Sequence, residues 1–288
     1  MEVSSSRAAE VGGQQVRRAL PQHRRRTVGA WCFADHFGPT AVSGHGGVNV
    51  GPHPHLGLHT VTWLVSGELL HRDSLGSEQL IRPGELNLMT AGAGISHAEE
   101  ATGSFRGDLH GIQLWVAQPE ATRHGAPAFE HHASLPTVDL GTGSANVLVG
   151  DLGGVVSSAR RDSELVGAEI RLHGGTTAVP LQAGFEHGLV VLEGAVTVEG
   201  EELVPGQLGH LDPGSDEVGL AASGPARLLL IGGVPFPEPV TMFWNFVGRS
   251  RVELAEAARS WNADDGRFGT VASPLERIPS PAPWWRQD

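Results

Sequence analysis

Gly51-Pro52-His53-Pro54-His55-Leu56-Gly57-Leu58-His59-Thr60-Val61-Thr62-Trp63 is the stretch on which the reading of this 288-residue chain turns. It passes from Gly and Pro into a run of β-branched and aromatic residues, the composition of a strand. On an extended backbone, side chains at i and i+2 share a face, so His53 and His55 can reach one point. Pro54 between them removes a backbone donor, which suits a strand end or edge. A second pair, His97-Ala98-Glu99, repeats the spacing further along. Three imidazole nitrogens and one carboxylate are a donor set for a transition metal. The plainer reading is that these are ordinary histidines, since the chain holds 15 of them. His36, His45, His110, His124, His131 and His132 are placed in that class. From spacing alone the four-residue set stands level with it.

The same strand rhythm extends outward. Residues 31–39 read as a strand, and a glycine-rich loop over 43–51 delivers the His-Pro-His pair. Residues 60–65 end at the Ser66-Gly67 turn, Arg82-Pro83-Gly84-Glu85 is a second turn, and 86–89 a short strand. Residues 90–96 then bend the chain to present His97 and Glu99, and 110–116 close this half as a buried strand. Residues 1–14, small and polar, are expected to be disordered, so a first domain spans 15–120. Residues 121–143, rich in Pro, His, Gly and Thr, read as a linker. Over 144–288 the pattern returns: 185–194 and 204–210 echo the strand and Pro-Gly turn of the first half. One short helix is expected near 250–262. Ser250 and Glu253 form a capping box, Leu254, Ala258 and Trp261 an apolar stripe, and Gly266 stands to end it. The tail over 279–288, with three prolines and Trp284-Trp285, is expected to lie along a domain surface.

Composition narrows the function. A net charge of −12 argues against nucleic acid, whose binding rests on neutralising phosphates. The one basic cluster, Arg17-Arg18 with Arg24-Arg25-Arg26, reads as the solvated face of a strand start in a chain that has no lysine. Cys32 is the single cysteine, which excludes an internal disulfide and a Cys-ligated cluster and fits a reducing cytoplasm. No apolar run reaches the length of a membrane span, and no hydrophobic signal core follows Met1. Neither membrane nor direct nucleic-acid contact is expected.

Short strands in two repeated halves point to an all-β fold: two double-sheet jelly-roll barrels in tandem, the architecture of cupins, with a short C-terminal helix. In such a barrel, inward side chains of neighbouring strands converge, so two i, i+2 pairs can close around one ion. Three histidines and a carboxylate with open positions suit Fe(II), and also Mn, Co, Ni or Cu; Zn, more often tetrahedral and closed, fits least.

The longer motifs resemble the pirin family. They are 53–63 itself, His71-Arg72-Asp73-Ser74-Leu75-Gly76, Pro83-Gly84, 89–99 ending in His97-Ala98-Glu99, and His110-Gly111-Ile112-Gln113-Leu114-Trp115. Asp35-His36-Phe37-Gly38-Pro39 upstream, and Glu238-Pro239-Val240, Asn245-Phe246-Val247 and Gly266-Arg267-Phe268-Gly269 downstream, extend the likeness over most of the chain. The resemblance implies a bicupin whose N-terminal barrel holds one non-haem metal, usually iron, through His53, His55, His97 and Glu99. It also implies a quercetin 2,3-dioxygenase-like oxidoreductase, taking O2 and a flavonol or related enolisable aromatic and opening the ring with loss of carbon monoxide. Glu99 would then be the catalytic group that accepts the substrate's hydroxyl proton. From another class, eukaryotic pirins described as transcriptional cofactors imply a metal-dependent regulatory protein, and the acidic charge leaves room for such a protein partner.

This chain departs from the family at three positions. His59 stands where Glu or Gln is common; it reads as a residue that orients a neighbour by hydrogen bond, with a fifth ligand, a further nitrogen near the ion, as the alternative. Leu56 and Ala93 replace arginines, which removes two cations expected near the mouth of the site. In the C-terminal barrel only His187 and His210, with Glu193 nearby, could face inward. That barrel is expected to be metal-free and structural.

Overall fold

Strand Leu69–Asp73 buries Leu69, His71 and Asp73 and leaves Leu70 and Arg72 half-buried. Strand Glu217–Ala222 likewise buries Val218, Leu220 and Ala222. This is the period of two that a sheet with one covered face imposes. Central strands such as Leu58–Ser66 and Ala226–Gly233 are buried on both faces; the second is a nearly continuous apolar run, while the first buries His59, Thr60 and Thr62 among its apolar residues. The computed structural model describes residues 1–285; positions 286–288, the end of the expected tail, lie outside the described residues.

The strands build two barrels. The first pairs a seven-stranded sheet, in the order Ala128–His132, Leu86–Thr90, Leu58–Ser66, Arg106–Ala117, Trp31–Ser43, Gln14–Leu20 and Arg7–Val11, with a four-stranded one. The smaller sheet runs Val50–His55, Ile95–Glu100, Leu69–Asp73, Glu78–Ile81. The second barrel repeats the plan with an eight-stranded and a four-stranded sheet. One apolar core is shared between the barrels, with Trp63, Ile112 and Leu114 from the first meeting Val190, Leu229 and Ile231 from the second. Trp31 marks this seam, donating its indole N–H to the carbonyls of Val166 and Gly232, each at 3.1 Å. A separate core that includes Leu189, Val191 and Leu230 fills the second barrel.

Three boundaries differ from the expected ones. Residues 1–14 are not disordered: Glu2–Ser5 pairs with Gln207–Leu211 in the second barrel, while Arg7–Val11 forms a hairpin with Gln14–Leu20 in the first. Backbone groups make these pairings, so small polar side chains suffice at a sheet edge and composition misleads. The stretch 121–143 is not a free linker either, since Ala128–His132 extends the sheet of the first barrel and Thr137–Asp139 that of the second. Finally, the chain after Gly233 does not stay with the second barrel. Phe246, Leu254, Trp261 and Phe268 form one core with Leu56 of the first, and the Val247 and Ile278 N–H groups donate to the Leu56 and Pro52 carbonyls. Two glycines permit this crossing. A Cβ on Gly57 (φ +68°) would lie 2.2 Å from the Val247 oxygen, and one on Gly51 2.0 Å from that of Glu276.

Helix Arg251–Ala263 begins as expected, with Ser250 Oγ accepting from the Glu253 N–H and Leu254, Ala258 and Trp261 buried. Its end differs. Asp264, in the left-handed region at φ +52°, caps it two residues before Gly266, and a short polar side chain tolerates that conformation. Of the N-terminal arginines, Arg24 and Arg26 are exposed as expected, but Arg18 and Arg25 are not simply solvated. Arg18 forms a forked pair with Asp35 at 2.7 and 2.6 Å, and Arg25 bridges Glu2 and His210, each at 2.8 Å. Among the described residues, no helix is long and apolar enough to cross a membrane.

Candidate metal centre

Strands Val50–His55 and Ile95–Glu100 run antiparallel with His53 directly opposite His97. His55, two residues on, shares their face. The three rings therefore meet, with centroids 4.3 Å apart for His53–His97, 4.9 Å for His55–His97 and 5.1 Å for His53–His55. One nitrogen of each lies within 4.8 Å of the other two.

The far nitrogen of each ring is already committed. His53 Nδ1 lies 2.9 Å from the Gly51 carbonyl, and His55 Nδ1 3.1 Å from that of Asn245. A carbonyl can only accept, so both Nδ1 atoms carry the proton and both Nε2 atoms present a lone pair. His97 reaches the same state through two more residues. Burial pushes the Asp73 carboxyl up, but hydrogen bonds from His71 and Ser77 outweigh it and hold the group below its ordinary value, as a carboxylate. Asp73 Oδ2 accepts a hydrogen bond from the His71 Nε2–H at 3.1 Å, and His71 Nδ1 is left to accept from His97 Nδ1 at 3.4 Å. His97 Nε2 is thus also a bare lone pair, only 3.0 Å from His55 Nε2. Burial keeps the rings uncharged, lowering the pKa of His53 to about 4 and those of His55 and His97 well below the usual imidazole range. Three buried lone pairs converging on one point repel unless a cation stands among them. The residues present therefore fit a divalent transition metal.

Glu99 is half-buried and lines the same cavity, where burial raises its pKa to about 7. It is not among the ligand atoms that meet within 4.8 Å. A β-bulge against the facing strand falls between His97 and Glu99 and interrupts the simple i, i+2 alternation. The cavity itself measures about 540 Å³, with Phe33, Phe37, Trp115 and Trp244 among its walls and Asp35, Gln113 and Arg18 as polar groups. Phe33 and Trp115 are stacked with centroids 4.0 Å apart, and the Arg18 guanidinium lies 4.5 Å over the Phe33 ring. Residues Glu10, Val11, Gly12 and Gln14, from the N-terminal hairpin, complete the wall.

His59 turns away from this centre, accepting or donating at Thr90 Oγ1 (2.9 Å) and facing Asp162 of the second barrel at 3.2 Å. It holds a neighbour by hydrogen bond and does not line the cavity. Leu56 is fully buried beneath the C-terminal segment, so it does not sit at the mouth of the site. Arg267 donates to the Ala93 carbonyl at 3.0 Å, and neither residue is among those that line the cavity. His36 and His110 pair with each other at 2.7 Å, and His131 pairs with Asn87. In the second barrel, His210 meets Arg25 and Glu186. His187 shares its strand face with Leu189 and Val191, which pack into the barrel core. The two therefore lie on opposite faces of one sheet and share no point.

His71 is the residue that sequence reasoning passed over. Its signal was there: His71-Arg72-Asp73 is a third i, i+2 pair, and its strand neighbours that of His97.

Residues 13–116 match the family model described as Pirin, and residues 167–269 the one described as Pirin C-terminal cupin domain. A Pseudomonas aeruginosa protein, provisionally named a quercetin 2,3-dioxygenase, is 45% identical over 99% of this chain and 91% of its own length. A pirin-like protein of Caulobacter vibrioides is 37% identical over 91% of this chain and 92% of its own. The crystal structure of a quercetin 2,3-dioxygenase from Acinetobacter baumannii superposes with a TM-score of 0.95 at 41% identity, covering 99% of this chain and 97% of that one. Two cupin barrels, an inward histidine triad in the first and relatives matched almost end to end leave one conclusion: the chain belongs to the pirin family.

Proposed function

We propose that the chain is a metal-dependent dioxygenase that cleaves a flavonol or a related enolisable aromatic with O2, using His53, His55, His97 and Glu99 as metal ligands. One observation carries this reading: three converging imidazole lone pairs border an aromatic-walled cavity that Glu99 also lines. Relatives named for quercetin dioxygenation support the substrate class. A bound divalent metal, iron first and Mn, Co, Ni, Cu or Zn as alternatives, would supply Lewis acidity toward a substrate hydroxyl and an affinity for O2.

The chain's own residues do the rest. Phe33, Trp115 and Trp244 enclose a planar ring and exclude water from it. Gln113 and Asp35 offer an amide and a carboxyl to hydroxyls elsewhere on the substrate. Glu99, where it swings off the metal, takes the proton of the reacting hydroxyl and can release it again. The test is aerobic incubation of the iron-loaded protein with quercetin, following flavonol absorbance and carbon monoxide release. Turnover is expected to vanish in His97→Ala and to fall in Glu99→Gln. Wild-type turnover no faster than that of His97→Ala overturns the reading and leaves a metal-binding regulatory protein as its successor.

A further inference from the structure

The second barrel holds a cavity that the proposed chemistry does not use. It measures about 310 Å³, and its wall includes Asp151, Gly154, Gln182, His187 and Leu230. His187 is 1% exposed, yet its Nε2 has no hydrogen-bond partner among the described residues. Buried polar atoms are almost always paired, so an unpaired one in a cavity wall marks where a further group binds. The ring packs over Gly232, where a Cβ would come within 2.6 Å of its Cδ2, so this wall of the cavity needs a glycine. His210 cannot serve it, because it faces the seam between the barrels and is engaged there by Arg25 and Glu186.

The chemistry of the wall selects the occupant. One imidazole and one carboxylate are too few donors for a metal centre, and Asp151 Oδ1 already accepts the Gly154 N–H at 2.9 Å. Burial lowers the pKa of His187 to about 4, so the ring is neutral at pH 7. No arginine lines the cavity, and its one charge is that of Asp151, so an anion gains nothing there. Gln182 makes only a 3.4 Å contact from its amide to the Asp151 carbonyl, which leaves its carbonyl and second N–H available. Leu152, Val166 and Leu230 present apolar surface. We propose that this cavity binds a small uncharged hydroxylated aromatic, a phenol, with its ring against Val166 and Leu230 and its hydroxyl paired with His187 Nε2 and the Gln182 side chain.

The experiment is a phenol titration of the full-length 15N-labelled protein, followed through its imidazole nitrogen and Gln182 side-chain amide resonances. The expected result is a saturable movement of the His187 Nε2 resonance, with affinity roughly tenfold weaker in Gln182→Ala, the loss of one buried hydrogen bond. In His187→Phe, which keeps a flat ring of similar size, saturable binding at this barrel should disappear. Phenol that moves only the resonances of His53, His55 and His97, or moves none, overturns the assignment without touching the dioxygenase reading. Equal affinity in wild type and Gln182→Ala does the same for the stated pose.

Discussion

His71 Nδ1 lies 3.4 Å from His97 Nδ1, behind the edge that His97 turns toward His55. His71 is stacked on Phe129 with centroids 4.4 Å apart and is anchored at Nε2 by Asp73. The order of protons along Asp73, His71 and His97 decides which nitrogen of His97 is bare.

Asp73→Asn tests that order. The asparagine carbonyl can still accept from the Leu75 and Ser77 N–H groups, as Asp73 Oδ1 does now at 2.9 and 3.0 Å. Its amide would then donate to His71 Nε2, leaving His71 to donate from Nδ1 and placing the His97 proton on Nε2. Metal affinity should fall by roughly 10- to 100-fold while the fold persists. Competition with a chromogenic chelator measures it, and an unchanged affinity would show that Asp73 does not set the tautomer.

His59→Phe should separate stability from metal binding. His59 bonds Thr90 and faces Asp162, a carboxylate that also receives Gln118 at 3.0 Å and Arg160 at 2.9 Å. Burial raises the Asp162 carboxyl, but hydrogen bonds led by His59 outweigh it and hold the group far below its usual range. Losing the imidazole leaves that carboxylate underpaired in the seam, at a cost of about 2–4 kcal/mol. Chemical denaturation should show the loss, and metal content per chain should stay at the wild-type value.

Strand identity and the shared face of His53 and His55 were legible in the sequence because period-two facing is a local property of an extended chain, whereas the meeting with His97 depends on strand pairing and was implied by the family resemblance. What His59 faces was not legible, since Asp162 lies in the other barrel and no local pattern names it. The same holds for residues 1–14 and for the return of Phe246 to Leu56. These depend on backbone pairing and on apolar faces meeting across long separations, which composition does not encode. Glu99 lies between the two cases: its i, i+2 spacing from His97 is plain in the sequence, but the bulge beside it is a property of the strand pair, and it is not among the ligand atoms that meet.

Acid should destabilise the metal-free protein, and the sign follows from His36. Burial, with Arg17 and His110 nearby, lowers its pKa from 6.5 to about 3. Between those values the unfolded chain binds a proton that the folded chain does not. The stabilisation is therefore whole above about pH 6.5 and is lost as pH falls toward 3. From pH 7 to 5 this one imidazole accounts for about 2 kcal/mol. Urea unfolding at pH 7, 6 and 5 should show His36→Asn with a flatter dependence than wild type; parallel curves would assign the acid sensitivity to other groups.

Deleting residues 2–12 removes two sheet strands and part of the cavity wall contributed by Glu10, Val11 and Gly12. The shortened protein should unfold at lower denaturant and, in the quercetin assay, lose more in KM than in kcat, because the hairpin encloses the substrate without touching the metal ligands. A deletion that lowered kcat alone would contradict that placement.

Phe246 links the C-terminal segment to the metal centre. Its fully buried ring packs with Leu56 and Leu254, and its neighbour Asn245 supplies the carbonyl that orients His55 at 3.1 Å. Phe246→Ala should cost about 3–5 kcal/mol through the cavity it leaves, and Phe246→Leu about 1–2 kcal/mol. Because the Asn245 carbonyl is held only as well as the core beneath it, metal affinity should fall in the same order, alanine below leucine below wild type. Denaturation and chelator competition on the three proteins give both quantities. If Phe246→Ala lost stability but kept full metal affinity, His55 would have to be oriented by something other than the segment that Phe246 anchors.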